Sequence, residues 1–243
     1  MFLSFTGVRL VYPGAVDPVL DNVRFTIGRG WTGVVGANGA GKTTLLRMAM
    51  GELEPTQGSI HRPGAGLYCA QRTDDEPAGL RELIAATDSV AHRVKRALAI
   101  APDWAGRWSS LSHGERKRAQ LAVVLRRDPV CLAVDEPTNH LDRPARELVH
   151  RALEGFRGVG LLVSHDRELL DGLCTQCLFL DPPAAILRPG GYSHGAREAE
   201  RESVSARSAR ARSARELARL ERELVVRREH AAKAERQRSK RGL

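Results

Sequence analysis

Two short stretches of this 243-residue chain carry residues whose types and spacing suit phosphate chemistry. Gly36-Ala-Asn38-Gly39-Ala-Gly41-Lys42-Thr43 fits G-x-x-x-x-G-K-[ST], with an apolar strand candidate (Thr32–Val35) before it and a helical stretch (Thr43–Met50) after it. Glycines there let the backbone curl so that successive N–H groups point inward at a β-phosphate, and the N-terminus of the following helix reinforces them. Lys42 can reach the β- and γ-oxygens as a point charge, and the Thr43 hydroxyl, followed by Thr44 in the same turn, can ligate Mg²⁺. Further on, the apolar run Val130–Val134 ends on Asp135 and Glu136. The first carboxylate is placed to hold Mg²⁺, and the second to polarise an attacking water as a general base. A glycine-rich turn can be purely structural, and two acids after a strand can be plain solvated residues. The strand–loop–helix context and the joint occurrence favour a nucleotide site.

These residues need a scaffold, and the pattern of the chain predicts an α/β one. Val23, Phe25 and Ile27 alternate with Arg24 and Thr26, the period-two signature of a half-buried strand, and Leu3, Phe5 and Val8 precede a Pro13–Gly14 turn. Val130–Val134 and Gly160–Val163 are short continuous apolar runs, as expected of parallel strands covered on both faces. Helices are predicted over Thr43–Met50, Arg81–Ala101 and His113–Arg127, and strands alternating with helices point to a sheet with crossover helices.

Composition bounds the rest. A hydrophobic content of 42% is ordinary for a globular core, and no long uncharged apolar run suggests direct membrane insertion or a secretory leader, so a cytoplasmic location is expected. Four cysteines do not make a disulfide framework; Cys174 and Cys177 form a CxxC pair without the partners that a zinc site requires, and simple burial is expected. His61, His92, His150 and His194 show no ligand spacing and are expected at the surface. The formal net charge of +9 is concentrated: residues 196–243 hold fifteen Lys/Arg against eight Asp/Glu. Glycine and proline vanish there until Gly242, and Leu217, Leu220 and Leu224 mark a narrow apolar stripe that predicts a long helix or helical hairpin. Two domains are expected, residues 1–195 and a basic helical extension over 196–243.

Across residues 1 to about 195 the chain resembles the ATP-binding cassette (ABC) ATPases. Leu111-Ser112-His113-Gly114-Glu115 is similar to their LSGGQ signature, with His113 in place of the first glycine of the pair. Ser164-His165-Asp-Arg167 looks like the switch-histidine loop, Gln71 like the Q-loop glutamine, and Tyr12 like the aromatic that stacks on adenine. The resemblance implies a P-loop core with an antiparallel β subdomain and a short helical subdomain, ATP and Mg²⁺ as ligands, and a division of labour. Lys42, Thr43 and Asp135 would hold phosphates and metal, with Gln71 near the metal and attacking water. Glu136 would deprotonate that water, and His165 would contact the γ-phosphate. Ser112 and Gly114 would touch a γ-phosphate held by a second cassette.

Asp135-Glu-Pro-Thr-Asn-His-Leu-Asp142 is similar to the corresponding segment of the ABC-F branch, whose members act on ribosomes, and Gly190-Gly-Tyr-Ser193 resembles the element that closes their first cassette before a linker. That likeness implies ribosome or RNA contact through the basic extension, in translation or antibiotic resistance. A Lys/Arg-rich helix can bind phosphate backbones by counterion release, although Arg alternating with Glu is also the pattern of a solvated helix face. Two departures stand out: one cassette where the branch usually has two, and only 39 residues between Gln71 and Leu111. The energising subunit of a transporter, docked on a membrane partner, is the alternative. A nucleotide-binding module that has lost hydrolysis through His113 is a third.

Overall fold

Alternation at Val23, Phe25 and Ile27 becomes β2 (Leu20–Ile27), which pairs antiparallel with β1 (Leu3–Leu10) and drives those three side chains into the interior. The computed structural model describes residues 1–182, 184–205, 207, 208, 210, 212 and 213. A third strand, β4 (Gln57–His61), pairs on the other edge of β1 to complete a three-stranded antiparallel sheet.

The larger sheet has six strands in the order β5-β6-β7-β3-β8-β9. These are β3 (Gly30–Gly36), β5 (Gly66–Cys69), β6 (Cys131–Asp135), β7 (Val159–Val163), β8 (Cys174–Asp181) and β9 (Ala184–Pro189). All its pairings are parallel except β8 with β9. Both β6 and β7 are buried at every position, which explains why they read as unbroken apolar runs. Their side chains still sort by face. Cys131 and Ala133 join a core with the antiparallel sheet and α1 (Lys42–Met50), whereas Leu132 and Val134 join the core under the remaining helices. Trp31 ties the second core together, its indole N–H donating to the Leu153 carbonyl at 2.9 Å.

On that second face lie α2 (Leu80–Ala85), α3 (Ser89–Ala97), α4 (His113–Arg126), α5 (Arg143–Glu154) and α6 (Arg167–Leu173). The single helix expected over Arg81–Ala101 is therefore two. Ala86 takes an extended conformation, and the Asp88 side chain accepts from the Ala91 N–H at 2.8 Å, starting a new helix where apolar periodicity alone ran through. The chain thus has the mixed α/β architecture of a P-loop ATPase core.

Cys174 and Cys177 are buried on β8, where a hydrogen bond between the thiols, with burial, pushes the Cys174 thiol up. His61, His92 and His194 are exposed, while His150 is half-buried 3.6 Å from Glu154. Internal contacts divide the chain into Met1–Gly195 and Ala196–Leu243. In the second unit residues 196–205 are helical, and the stripe at Leu217, Leu220 and Leu224 lies outside the described residues. Among the described residues no helix is long and apolar enough to cross a membrane.

Candidate nucleotide site

Parallel β3, β6 and β7 all end at one edge of the large sheet, and the loops that follow them meet there, the usual place for a ligand in an open α/β sheet. β3 runs into the loop Ala37–Gly41 and then into α1. Gly41, at φ 88°, sits at the head of the helix, where a side chain would be strained and would press on Val19. It offers no side-chain cap, so the first N–H groups of α1 keep their donor capacity for an external acceptor. Gly36 is equally constrained: a Cβ there would lie 2.5 Å from the Leu180 carbonyl oxygen on the neighbouring strand.

A cleft of about 600 Å³ opens over this loop. It is lined by Tyr12, Asn38, Gly39, Gly41, Lys42, Thr43, Thr44, Gln71, Asp135, Glu136 and His165, together with Val19, Asn139 and Val163. The Thr43 hydroxyl donates to Asp135 Oδ2 at 2.8 Å, so two elements 92 residues apart present their oxygens side by side. A hydroxyl and a carboxylate at this spacing are the hard oxygen donors that Mg²⁺ takes alongside phosphate, and the pair fits that ion. Lys42 Nζ donates to the Gly36 and Ala37 carbonyls, each at 2.9 Å, which holds its charge against the loop. Tyr12 also lines the cleft, its hydroxyl 3.1 Å from Thr44 Oγ1 on α1.

Glu136 is 8% exposed and holds a positive φ of 47°, a conformation uncommon for a residue with a side chain. Its N–H donates to the Val163 carbonyl at 2.9 Å, and its Oε2 accepts from the His165 N–H at 3.2 Å. Oε1 lies 3.4 Å from His165 Nε2, within ion-pair distance but without hydrogen-bond geometry, so this buried oxygen keeps its acceptor capacity. A buried carboxylate oxygen free to accept, beside an exposed imidazole, is what activating a water requires.

Two residues in or beside this network were not singled out from sequence. Tyr68, three positions before Gln71, donates its hydroxyl to Asp135 Oδ2 at 3.0 Å. Burial and the Asp135 charge both push its phenol up, so it stays a donor. Lys117 on α4 is 1% exposed and is bonded to the Asp135 carbonyl. The first is signalled by its closeness to Gln71. The second falls four residues before Leu121, on the helix's buried face, where a lysine is out of place.

Ser112 and Gly114 lie outside this cleft. Ser112 caps α4: its Oγ accepts from the Glu115 N–H at 3.3 Å, and Glu115 Oε2 accepts from the Ser112 N–H at 2.8 Å. Gly114 packs so tightly on Leu141 that a Cβ would sit 3.0 Å from its Cδ2. His113 meets His140 edge-on, ring centroids 5.4 Å apart, and burial, then the charges of His140 and its other cationic neighbours, holds its imidazole below the usual range. These two histidines line an outer groove with Gln71 and Asn139, which border both spaces.

The ABC transporter family model matches residues 20–139. A candidate ABC transporter ATP-binding protein of Nitratidesulfovibrio vulgaris is 30% identical over 207 residues, covering 74% of this chain and 76% of its own length. The chain belongs to the ABC ATPase family. More particularly, it is similar to the ribosome protection protein VmlR of Bacillus subtilis, 35% identical over 164 residues, covering 66% of this chain and 28% of that protein. It is also similar to the ATP-binding protein Uup of Escherichia coli, 31% identical over 210 residues, covering 80% of this chain and 33% of that protein. The chain thus spans about a third or less of the length of these last two relatives.

Proposed function

We propose that the chain is a Mg²⁺-dependent ATPase cassette of the ABC-F type, which closes on a second cassette around ATP and has a ribosome- or RNA-directed role through its basic extension. The observation that carries the catalytic part is the junction of Thr43 with Asp135, beside buried Glu136, in one cleft over the glycine loop. Lys42, Asn38, Gly39, Gly41 and the N–H groups of α1 bind the phosphates, and Tyr12 stacks on the base. Thr43 and Asp135, with Gln71 near, hold Mg²⁺, which when bound neutralises charge on the β- and γ-phosphates. Glu136 orients the attacking water and takes its proton at Oε1, while His165 fixes that carboxylate and faces the γ-phosphate.

Ser112 and Gly114 are suited to a nucleotide held by a second cassette. They stand outside the cleft of their own chain, at the head of a helix, where a partner's γ-phosphate would meet them. Hydrolysis then removes a contact shared by two domains and releases the closed state. An isolated copy is expected to bind ATP and hydrolyse it poorly; fast turnover that does not depend on protein concentration would contradict this.

The RNA part is supported by the similarity to a ribosome protection protein and by the +7 excess charge of residues 196–243, fifteen Lys/Arg against eight Asp/Glu. The transporter reading keeps a footing in the Nitratidesulfovibrio relative. One experiment separates them: Glu136→Gln chain loaded with ATP is expected to co-sediment with ribosomes. Its recovery with a polytopic membrane protein instead, and no ribosome association, would favour the transporter reading.

A further inference from the structure

α4 carries a lysine where a helix packed on a sheet ordinarily holds an apolar side chain. Lys117 Nζ lies 2.5 Å from the Ala70 carbonyl oxygen, 3.1 Å from the Asp135 carbonyl oxygen and 3.1 Å from Gln120 Oε1. An ammonium has three protons, and all three find acceptors. One turn on, Gln120 continues the pattern: its Nε2 donates to the Arg72 carbonyl at 3.1 Å, and its Oε1 accepts from Cys69 Sγ at 3.4 Å. Two side chains of one helix thus grip the backbone on both sides of Gln71 and the peptide that leads into Glu136.

Burying an ammonium is unfavourable unless its whole hydrogen-bonding capacity is met, and a methionine of similar reach would fill the space without that desolvation. What the lysine supplies and a methionine does not is a fixed distance between three pieces of chain. Those pieces are the helix that begins at the Ser112–Gly114 turn, the Gln71 loop, and the strand end bearing Asp135 and Glu136. None of these three hydrogen bonds is made to the Gly36–Thr43 loop.

We propose that Lys117 and Gln120 are positioning residues that hold Gln71 and Glu136 in register with the signature helix, so that hydrolysis depends on them and nucleotide binding does not. This inference rests on the ATPase reading given above. The test uses the full chain carrying Lys117→Met or Gln120→Leu. At protein concentrations that saturate cassette association, kcat is expected to fall at least about tenfold for Lys117→Met, in line with the sensitivity of catalysis to small misplacements. A smaller loss is expected for Gln120→Leu, while KM for ATP and the affinity for a fluorescent ATP analogue change by less than about twofold. Unchanged kcat in both variants would overturn the proposal. So would affinity falling in step with kcat, because that is the mark of general damage to the fold. Should Lys117→Met not fold, Gln120→Leu decides by the same criteria.

A second readout stands apart from turnover. Amide hydrogen exchange at Glu136, whose N–H is bonded to the Val163 carbonyl, is expected to speed up at least about tenfold in the variants, with the amides of α1 unchanged. If the unaltered chain shows no hydrolysis at any concentration, the ATPase reading fails by itself. The exchange result then still supports the clamp if the Glu136 amide responds, and overturns it if it does not.

Discussion

The glycine-loop cleft and the signature turn are built on opposite plans. In the cleft, groups from β5, the ends of β6 and β7, and α1 converge: Thr43 meets Asp135 at 2.8 Å, Tyr68 meets the same oxygen at 3.0 Å, and Glu136 meets the His165 N–H at 3.2 Å. At the signature turn, Ser112 uses its hydrogen bonds on its own helix, in a reciprocal cap with Glu115. One region is cross-linked by hydrogen bonds between distant parts of the chain; in the other the hydrogen bonds of Ser112 stay within the first turn of its own helix. The contrast teaches that long-range pairing shapes the cleft while a local cap shapes the turn, and that α4, which starts at the turn, reaches the cleft through the bond from Lys117 to the Asp135 carbonyl.

That contrast can be broken in several places. The largest expected effect is on chemistry alone. Glu136→Gln should lower turnover by about 100-fold or more, the usual contribution of a general base, with ATP affinity essentially unchanged, as measured by phosphate release and equilibrium binding. Loss of binding in that variant would mean that Glu136 supports the cleft rather than the reaction. Next comes Ser112→Ala. Turnover at saturating protein is expected to drop about tenfold with affinity unaltered, while removal of the cap lowers stability by about 1 kcal/mol, read from thermal unfolding. An equal loss of affinity by a proven monomer would place Ser112 in its own chain's site and erase the distinction.

Smaller effects sharpen the picture. Tyr68→Phe removes a hydrogen bond to Asp135 and should raise the Mg²⁺ concentration needed for half-maximal nucleotide binding by about threefold to tenfold, the value of one charge-assisted bond. Binding without Mg²⁺ should be untouched. Last, His113 gives a modest pH effect. Its imidazole pKa is depressed in the folded chain, so below about 6.5 the unfolded chain takes up a proton that the folded chain resists, and stability falls as pH drops through that range. In His113→Asn the unfolding temperature should depend less on pH across that window.

Much of the cleft could be read from sequence because its chemistry is local: the glycine loop is contiguous, and Asp135 and Glu136 directly follow an apolar strand. The sheet was legible for the same reason, since runs such as Val159–Val163 are buried on both faces and carry no polar interruption. What escaped depends on long-range placement. Tyr68 gains meaning only because β5 pairs with β6, setting Tyr68 opposite Ala133 two residues before Asp135. Lys117 sits in an Arg-Lys-Arg run that reads as a solvated face, and only the packing of α4 on the sheet reveals that it is buried. The break between α2 and α3 was hidden because apolar spacing continues through Asp88, whose capping bond decides the local conformation.

The central claim, that ATP lies on the Gly36–Thr43 loop under the charge of Lys42, is tested most directly by equilibrium binding of Mg-ATP to Lys42→Ala. An affinity lower by about 100-fold, as expected from losing a charged phosphate contact, is the predicted result. Binding as tight as that of the unaltered chain would contradict the account.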